Sequence, residues 1–164
     1  WILAAVSLPT RAVKVPTEYK FHIDTAQIIQ QQLAQAGITM KIETIEWNAW
    51  LTEVYTEHKH EATIVGLAGK IDPGSVMIRP TSGYNRNFFH YSNPEYDVLV
   101  AQAAAEGDQN HRVQLYKDAQ KVATQDALMV PLMDPGNNLL MDKHVEGYLT
   151  YPIGYIDLRS IYWA

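Results

Sequence analysis

The sequence predicts an α/β fold built on a parallel sheet, and three observations carry that reading. In "TAQIIQQQLAQAG" the apolar residues Ala26, Ile29, Leu33 and Ala36 recur at helical spacing. In "ITMKIETIEW" Ile38, Met40, Ile42 and Ile45 alternate with polar residues, with one slip, as on a strand with one buried face. Around them the order runs strand, helix, strand, helix, strand with short connections, the signature of parallel βαβ crossovers.

In chain order, Ile2 to Leu8 is short and apolar and ends on Pro9-Thr10, which predicts a strand. Arg11 to Lys20 contains Pro16 and reads as extended. Asp24 or Thr25 is the expected cap of the first helix, and Gly37 ends it. Asn48 is the expected cap of a second helix over "NAWLTEVYTEH", and "ATIVGLA" is a second apolar strand. Tyr84 to Tyr91 reads as irregular and aromatic. Ser92 or Asn93 caps a helix with Pro94 in its first turn, running to about Glu106. "NHRVQLYKDAQKVATQDA" is a longer amphipathic helix with Val113, Tyr116, Ala119, Val122 and Ala123 inward. "LMVPLM" follows as a short strand, and "NNLLMD" and "VEGYLTYP" as a strand and a surface excursion. No repeat and no internal linker is visible, so residues 1–164 are expected to form one domain.

Composition excludes several classes. A net charge of −5 with no Lys/Arg cluster argues against a nucleic-acid partner. The absence of cysteine removes disulfides, thiolate metal sites and cysteine nucleophiles. No apolar run reaches the ~18 residues of a membrane span. The chain opens on Trp1-Ile-Leu without Met, and the expectation is a piece of a longer protein whose own start, with any secretory signal or lipid anchor, lies upstream.

The stretch "GLAGKIDPGS" invites a phosphate-loop reading, but Ile64 stands where the first Walker glycine belongs and Ile71 where the hydroxyl belongs. A strand end whose glycines let the backbone turn, at the rim where α/β sheets hold ligands, fits better. "EHKHE", Glu57 to Glu61, offers two imidazoles between carboxylates, and a solvated turn is favoured over a metal site. Asp72-Pro73-Gly74 reads as a turn whose Asp caps a short helix. No nucleophile motif is present, and no cofactor or metal is expected. Trp47 and Trp50 are three residues apart near a strand end; Trp47 is a candidate to floor a pocket and Trp50 to join the core.

Taken together, "AQIIQQQLAQAGITMKIETIEW", the Asp72-Pro73 loop, "RNFFHYSNPEYD", "HRVQLYKDAQKVATQDALMVPL" and "VEGYL" run in an order that resembles the C-terminal lobe of the family 5 extracellular solute-binding proteins. These are the dipeptide, oligopeptide and nickel receptors of ABC importers. The resemblance covers about Phe21 to the C-terminus. It implies a periplasmic-binding-protein type II-like lobe, a mixed sheet flanked by helices, whose N-terminal partner lobe is absent from this chain. It also implies capture of a small polar or peptide solute without chemistry, delivery to an ABC permease in the membrane, and a periplasmic or extracellular location.

Residue by residue, the resemblance places Trp47 on a ligand-lining Trp and His22 near a ligand-side His. Gly66, Leu67, Ala68, Gly69 and Lys70 fall on the ligand-facing loop. The acidic residue that pairs with a peptide ammonium in the oligopeptide receptors falls on Gly69, which has no carboxylate, and Lys70 adds a positive charge. An acidic or neutral polar solute group is therefore expected there. The inner face, bearing Trp47, Gly69 and Lys70, is expected to dimerise if the lobe is alone. The rival readings are an enzyme using Asp72, His22 or the His58/His60 pair, and a sensory or docking domain on the same fold.

Overall fold

Strand β1 (Arg11–Pro16) is hydrogen-bonded along both edges. It pairs in parallel with β2 (Met40–Ile45), Val13 opposite Ile42, and with the two-residue β3 (Ala62–Thr63), Val13 opposite Ala62, giving the order β2-β1-β3. The structure is a computed structural model that describes residues 10–67, 70–134, 139–151 and 155–164; the strand expected over residues 2–8 lies outside them. It divides into two compact units, Trp1–Leu67 with Asn85–His90, and Ala68–Tyr84 with Tyr91–Ala164.

In the first unit, side chains alternate across β1 as strand geometry requires. Val13 and Val15 pack with Ala26 of helix α1 (Lys20–Gln35) and Met40 of β2, and Ile29 and Leu33 join them at helical spacing. Lys14 points the other way and pairs with Glu53 at 2.6 Å. On that side a short helix α2 (Trp47–Trp50) runs into a π-helical turn, Leu51–Thr56, closed by Glu57 N–H donating to the Thr52 carbonyl. Trp50, Val54 and Phe88 form the second cluster of this unit. The crossover order read from the sequence is thus present. Three details differ. Helix α1 starts at Lys20, not at a cap on Asp24 or Thr25: Asp24 pairs with Lys20 at i,i+4 and the Thr25 hydroxyl donates to the Phe21 carbonyl inside the helix. The cap of α2 is Glu46, whose carboxylate accepts from the N–H groups of Asn48 and Ala49, not Asn48. The strand expected over "ATIVGLA" keeps only Ala62 and Thr63. Gly37, with φ +78, ends α1 as expected.

The second unit is built on helices α4 (Pro94–Ala105) and α5 (Gln109–Gln125), with the short α3 (Gly74–Met77) against α4. Asn93 caps α4 by accepting from Glu95 and Tyr96 N–H, and its own amide donates to Asp126, as does the Tyr91 hydroxyl. Burial and the Asp126 carboxylate push the Tyr91 phenol up to about 12. Tyr96, Val100, Ala119 and Val122 form one core cluster and Ala103, Leu115 and Tyr116 another. Tyr116, Ala119 and Val122 are buried as expected, whereas Val113 is 40% exposed and Leu115 joins the inner face in its place. The run "LMVPLM" is not a strand: Met129, Val130, Leu132 and Met133 are exposed and have no ladder partner among the described residues. Of the later segments, Val145–Glu146 (β4) pairs antiparallel with Tyr162–Trp163 (β5).

Asp72 organises the start of this unit. One oxygen accepts the Gly74 N–H at 2.7 Å and the other takes the Arg112 guanidinium at 2.7 Å, and Arg112 also donates to the Ala103 carbonyl near the end of α4. A Cβ on Gly74 would collide with the Tyr116 hydroxyl and lie 2.8 Å from Asp72 Oδ1, and both neighbours are held, Tyr116 by burial and Asp72 by Arg112. Gly74→Ala is therefore expected to lower stability by about 1–3 kcal/mol, the range for overpacking. Urea unfolding checks this, and an unchanged midpoint would contradict the packing described.

Candidate ligand-binding site

The three parallel strands of the first unit all end at the same edge, and each is followed by side chains of interest. Ligands of open α/β sheets bind beyond such carboxyl ends. After β1 come Glu18, Tyr19 and, in the first turn of α1, Phe21 and His22. After β2 come Glu46 and Trp47. After β3 come Gly66 and Leu67.

These side chains form a chain of rings. Trp47 stacks on Trp50 with centroids 5.1 Å apart and planes 4° from parallel, and Tyr19 meets the edge of Trp47 at 5.7 Å. Tyr19 also lies 5.1 Å from the His22 ring, and Phe21 4.1 Å. Trp50 is the buried member, 3% exposed, with its indole N–H donating to Thr63 Oγ1, which in turn donates to the Lys14 carbonyl. Trp47 is half-buried, and Tyr19 and Phe21 are exposed. The cluster is therefore anchored to the sheet through Trp50 and presents apolar ring surface to solvent at its other end, the composition of a pocket wall.

His22 and Gly66 are brought together: a Cβ on Gly66 would sit 3.5 Å from His22 Nε2. His22 is 6% exposed, its Nδ1 has no hydrogen-bond partner, and burial lowers its pKa, so it is neutral at pH 7. Leu67 is exposed at the same strand end. Ala68 and Gly69 lie outside the described residues. Lys70 belongs to the second unit and is exposed.

Two carboxylates missed in the sequence complete this edge. Glu18 accepts the Trp47 N–H at 2.9 Å, and that bond holds its carboxyl below the usual range. Glu46 takes the next two N–H groups of α2. A glutamate within two residues of the end of β1 and of β2 was the available signal.

The residues of the enzyme reading are differently employed. Asp72 is bound to Arg112 and to the Gly74 N–H, which lower its pKa. His22 lies among rings. His58 and His60, expected in a solvated turn, are half-buried and packed near His90, with centroids 5.4 and 4.9 Å away. Among the described residues no three His, Asp or Glu side chains stand together as metal ligands would, and no helix is long and apolar enough to cross a membrane.

Sheet, helices and neighbours define the class: the fold is that of the periplasmic-binding-protein type II peptide binders. It superposes on a *Helicobacter pylori* protein described as the ABC transporter-associated periplasmic binding protein DppA in complex with peptide STSA, with TM-score 0.78 and 25% identity over 96% of this chain and 31% of that one. It also superposes on a *Bacillus subtilis* oligopeptide-binding protein, AppA, in complex with a nonapeptide, with TM-score 0.86 over 100% of this chain and 35% of that one; at 22% identity this likeness concerns the fold alone. The chain belongs to the bacterial extracellular solute-binding proteins, family 5, whose middle-region model matches residues 8–89. That match takes in β1, which lies ahead of the stretch in which the sequence resemblance was read. Among curated relatives, the chain is 30% identical over 144 residues to the dipeptide-binding protein DppE of *Bacillus subtilis* and 33% identical over 141 residues to the probable di/tripeptide-binding protein 5 of *Pseudomonas aeruginosa*. These alignments cover 87% and 83% of this chain but 26% and 27% of the relatives, so the chain spans about a quarter of their length. Both are binding proteins by name, and two further relatives, a peptide transport protein of Haemophilus influenzae and an oligopeptide-binding protein of Salmonella typhimurium, are described as periplasmic.

The 3.5 Å separation at Gly66 is ordinary van der Waals contact, so Gly66→Ala is expected to change stability by no more than about 0.5 kcal/mol. Gly66→Leu carries branched bulk into the His22 ring and is expected to cost more, about 1–3 kcal/mol. Thermal unfolding of the two variants side by side checks the order; equal losses would show that glycine is required for backbone reasons instead.

Proposed function

We propose that this chain forms part of the solute-binding receptor of an ABC importer and contributes one wall of the solute site. The observation that carries the reading is the ring cluster Tyr19–Trp47–Trp50 at the shared carboxyl edge of three parallel strands, on a family 5 fold. In this reading Trp47, Gly66, Leu67 and His22 make up the wall. Trp47 supplies contact surface, and His22 packs against Tyr19 and Phe21 as a neutral, buried ring. The opposite wall belongs to a further lobe of the same protein, closure on the solute creates the state that the membrane permease accepts, and the protein works in the periplasm or outside the cell. The receptor performs no reaction on its cargo.

The solute class follows from charge. With Gly at 69 and Lys at 70, the position that the resemblance matches to the acidic partner of a peptide ammonium carries no carboxylate, and Asp72, further along the loop after β3, is paired with Arg112. A buried ammonium without its partner is costly by several kcal/mol, on the order of the loss on breaking a buried ion pair. The solute therefore presents an acidic or neutral polar group here, as an N-blocked or acidic peptide or a carboxylated sugar-like compound does.

Calorimetric titration of the full-length protein tests both statements. N-acetylated or acidic dipeptides are expected to bind more tightly than free neutral dipeptides, and tight binding of ordinary dipeptides through the free amine would sink the charge argument. Trp47→Ala is expected to weaken the tightest ligand by at least ~10-fold, about 1.4 kcal/mol, with Trp47→Phe recovering part of the loss. Unchanged affinity in Trp47→Ala would remove the ring cluster from the solute site.

A further inference from the structure

The segment Asn85–His90 packs within the first unit although Tyr84 and Tyr91, on either side of it, belong to the second. Its anchor is Phe88, 3% exposed, with its ring 5.8 Å from Trp50 and 5.4 Å from Tyr55. Beside this anchor stand three imidazoles. The His90 ring lies 4.9 Å from His60 at 88° and 5.4 Å from His58. His58 and His90 both hold left-handed backbone, φ 56 and 55, a conformation uncommon outside glycine. His58 Nε2 and His60 Nδ1 are buried without a hydrogen-bond partner, and the His60 ring centre lies 6.5 Å from that of Phe88. His60 thus packs beside the anchor, and His90 is the exposed member of the cluster.

The charges around the cluster offer no counterion. The charged or chargeable neighbours acting on His60 are His90, His58 and Lys14, all of one sign when protonated. The nearby carboxylates are engaged elsewhere: Glu53 with Lys14, Glu57 with Lys59, and Glu61 with the Ala12 N–H and Arg11. On the docked segment itself the only permanent charge is Arg86, which lies 5.9 Å from the Tyr55 ring centre. Neutral rings pack here without cost in charge, whereas two imidazolium ions about 5 Å apart repel and leave protonated nitrogens buried without acceptors.

We propose that His58, His60 and His90 form an acid-sensitive latch that holds residues 85–90 on the first unit while the imidazoles are neutral and releases them on protonation. The sign agrees with the state of His60. Burial, and then His90, lower its pKa below the ordinary 6.5. The docked form therefore disfavours the proton. The stability it contributes is complete above the unfolded value near 6.5 and is lost as pH falls from there through the lower folded value.

Hydrogen exchange of the full-length protein, read by mass spectrometry at about pH 7.5 and about pH 5.5 and corrected for the intrinsic pH dependence of exchange, tests the latch. His22 brings its own acid sensitivity to the α1 core, so the readout is the peptide covering 85–90 relative to the peptide covering α1. Protection of 85–90 is expected to fall by ~10-fold or more on acidification while α1 loses less, a local opening rather than a global one. In His60→Gln, and in His90→Asn, which tolerates the left-handed backbone, this extra acid step is expected to disappear. Histidine ring NMR of the unmodified protein gives a second readout that needs no variant: one imidazole is expected to titrate below the ordinary range together with chemical-shift changes at Phe88. Protection of 85–90 that is the same at both pH values would overturn the latch. So would stoichiometric zinc binding lost in His60→Gln, which would make the cluster a metal site instead.

Discussion

The candidate site hangs from the double pairing of β1. A strand bonded on both edges and covered on both faces cannot shift register without turning every side chain to the wrong side. Here a one-residue slip would exchange Val13 and Val15, buried against α1, for Lys14, paired with Glu53. The Lys14 carbonyl adds a further lock, because it accepts the Thr63 hydroxyl that itself receives the Trp50 indole N–H. The aromatic cluster is in this way registered against the sheet by hydrogen bonds, and the stacked Trp47 inherits that position.

Two acidic side chains then fix the start of α2. Trp47 N–H is taken by Glu18, and Asn48 and Ala49 N–H by Glu46. The first N–H groups of a helix are its natural anion binders. At this edge they are already occupied, and both occupants are carboxylates. An anionic solute group thus finds no free backbone donor at α2. In the proposed site, what this edge offers a solute is therefore ring surface.

Much of the fold was legible because it rests on local rules. The Asn93-Pro94 cap, Gly37 at the end of α1 and the alternation through Met40 to Ile45 each state a backbone preference that the tertiary structure obeys. The misreadings arose where side chains answer to partners distant in sequence. Asp24 looks like a cap but serves as the i,i+4 partner of Lys20. "LMVPLM" is apolar enough for a strand, but no strand among the described residues offers it a ladder. The ring cluster was half legible. Trp47 stood out by type and Trp50 by spacing, yet Tyr19 joins them only because β1 and β2 end side by side, a fact of sheet order and not of sequence distance.

The histidines of "EHKHE" show the same limit from the other direction. Charge runs at the end of a helix normally face water, and Glu57, Lys59 and Glu61 do so. Alternation alone does not say which of the intervening residues turns inward. That is decided by the return of Phe88, about thirty residues later, to the hollow beside Trp50 and Tyr55. Once Phe88 is seated, His90 arrives with it, and His60 acquires a neighbour whose charge it cannot share. A polar turn in the sequence thereby becomes a packed contact whose strength depends on protonation, because the residue that buries it also brings the group that opposes its charge.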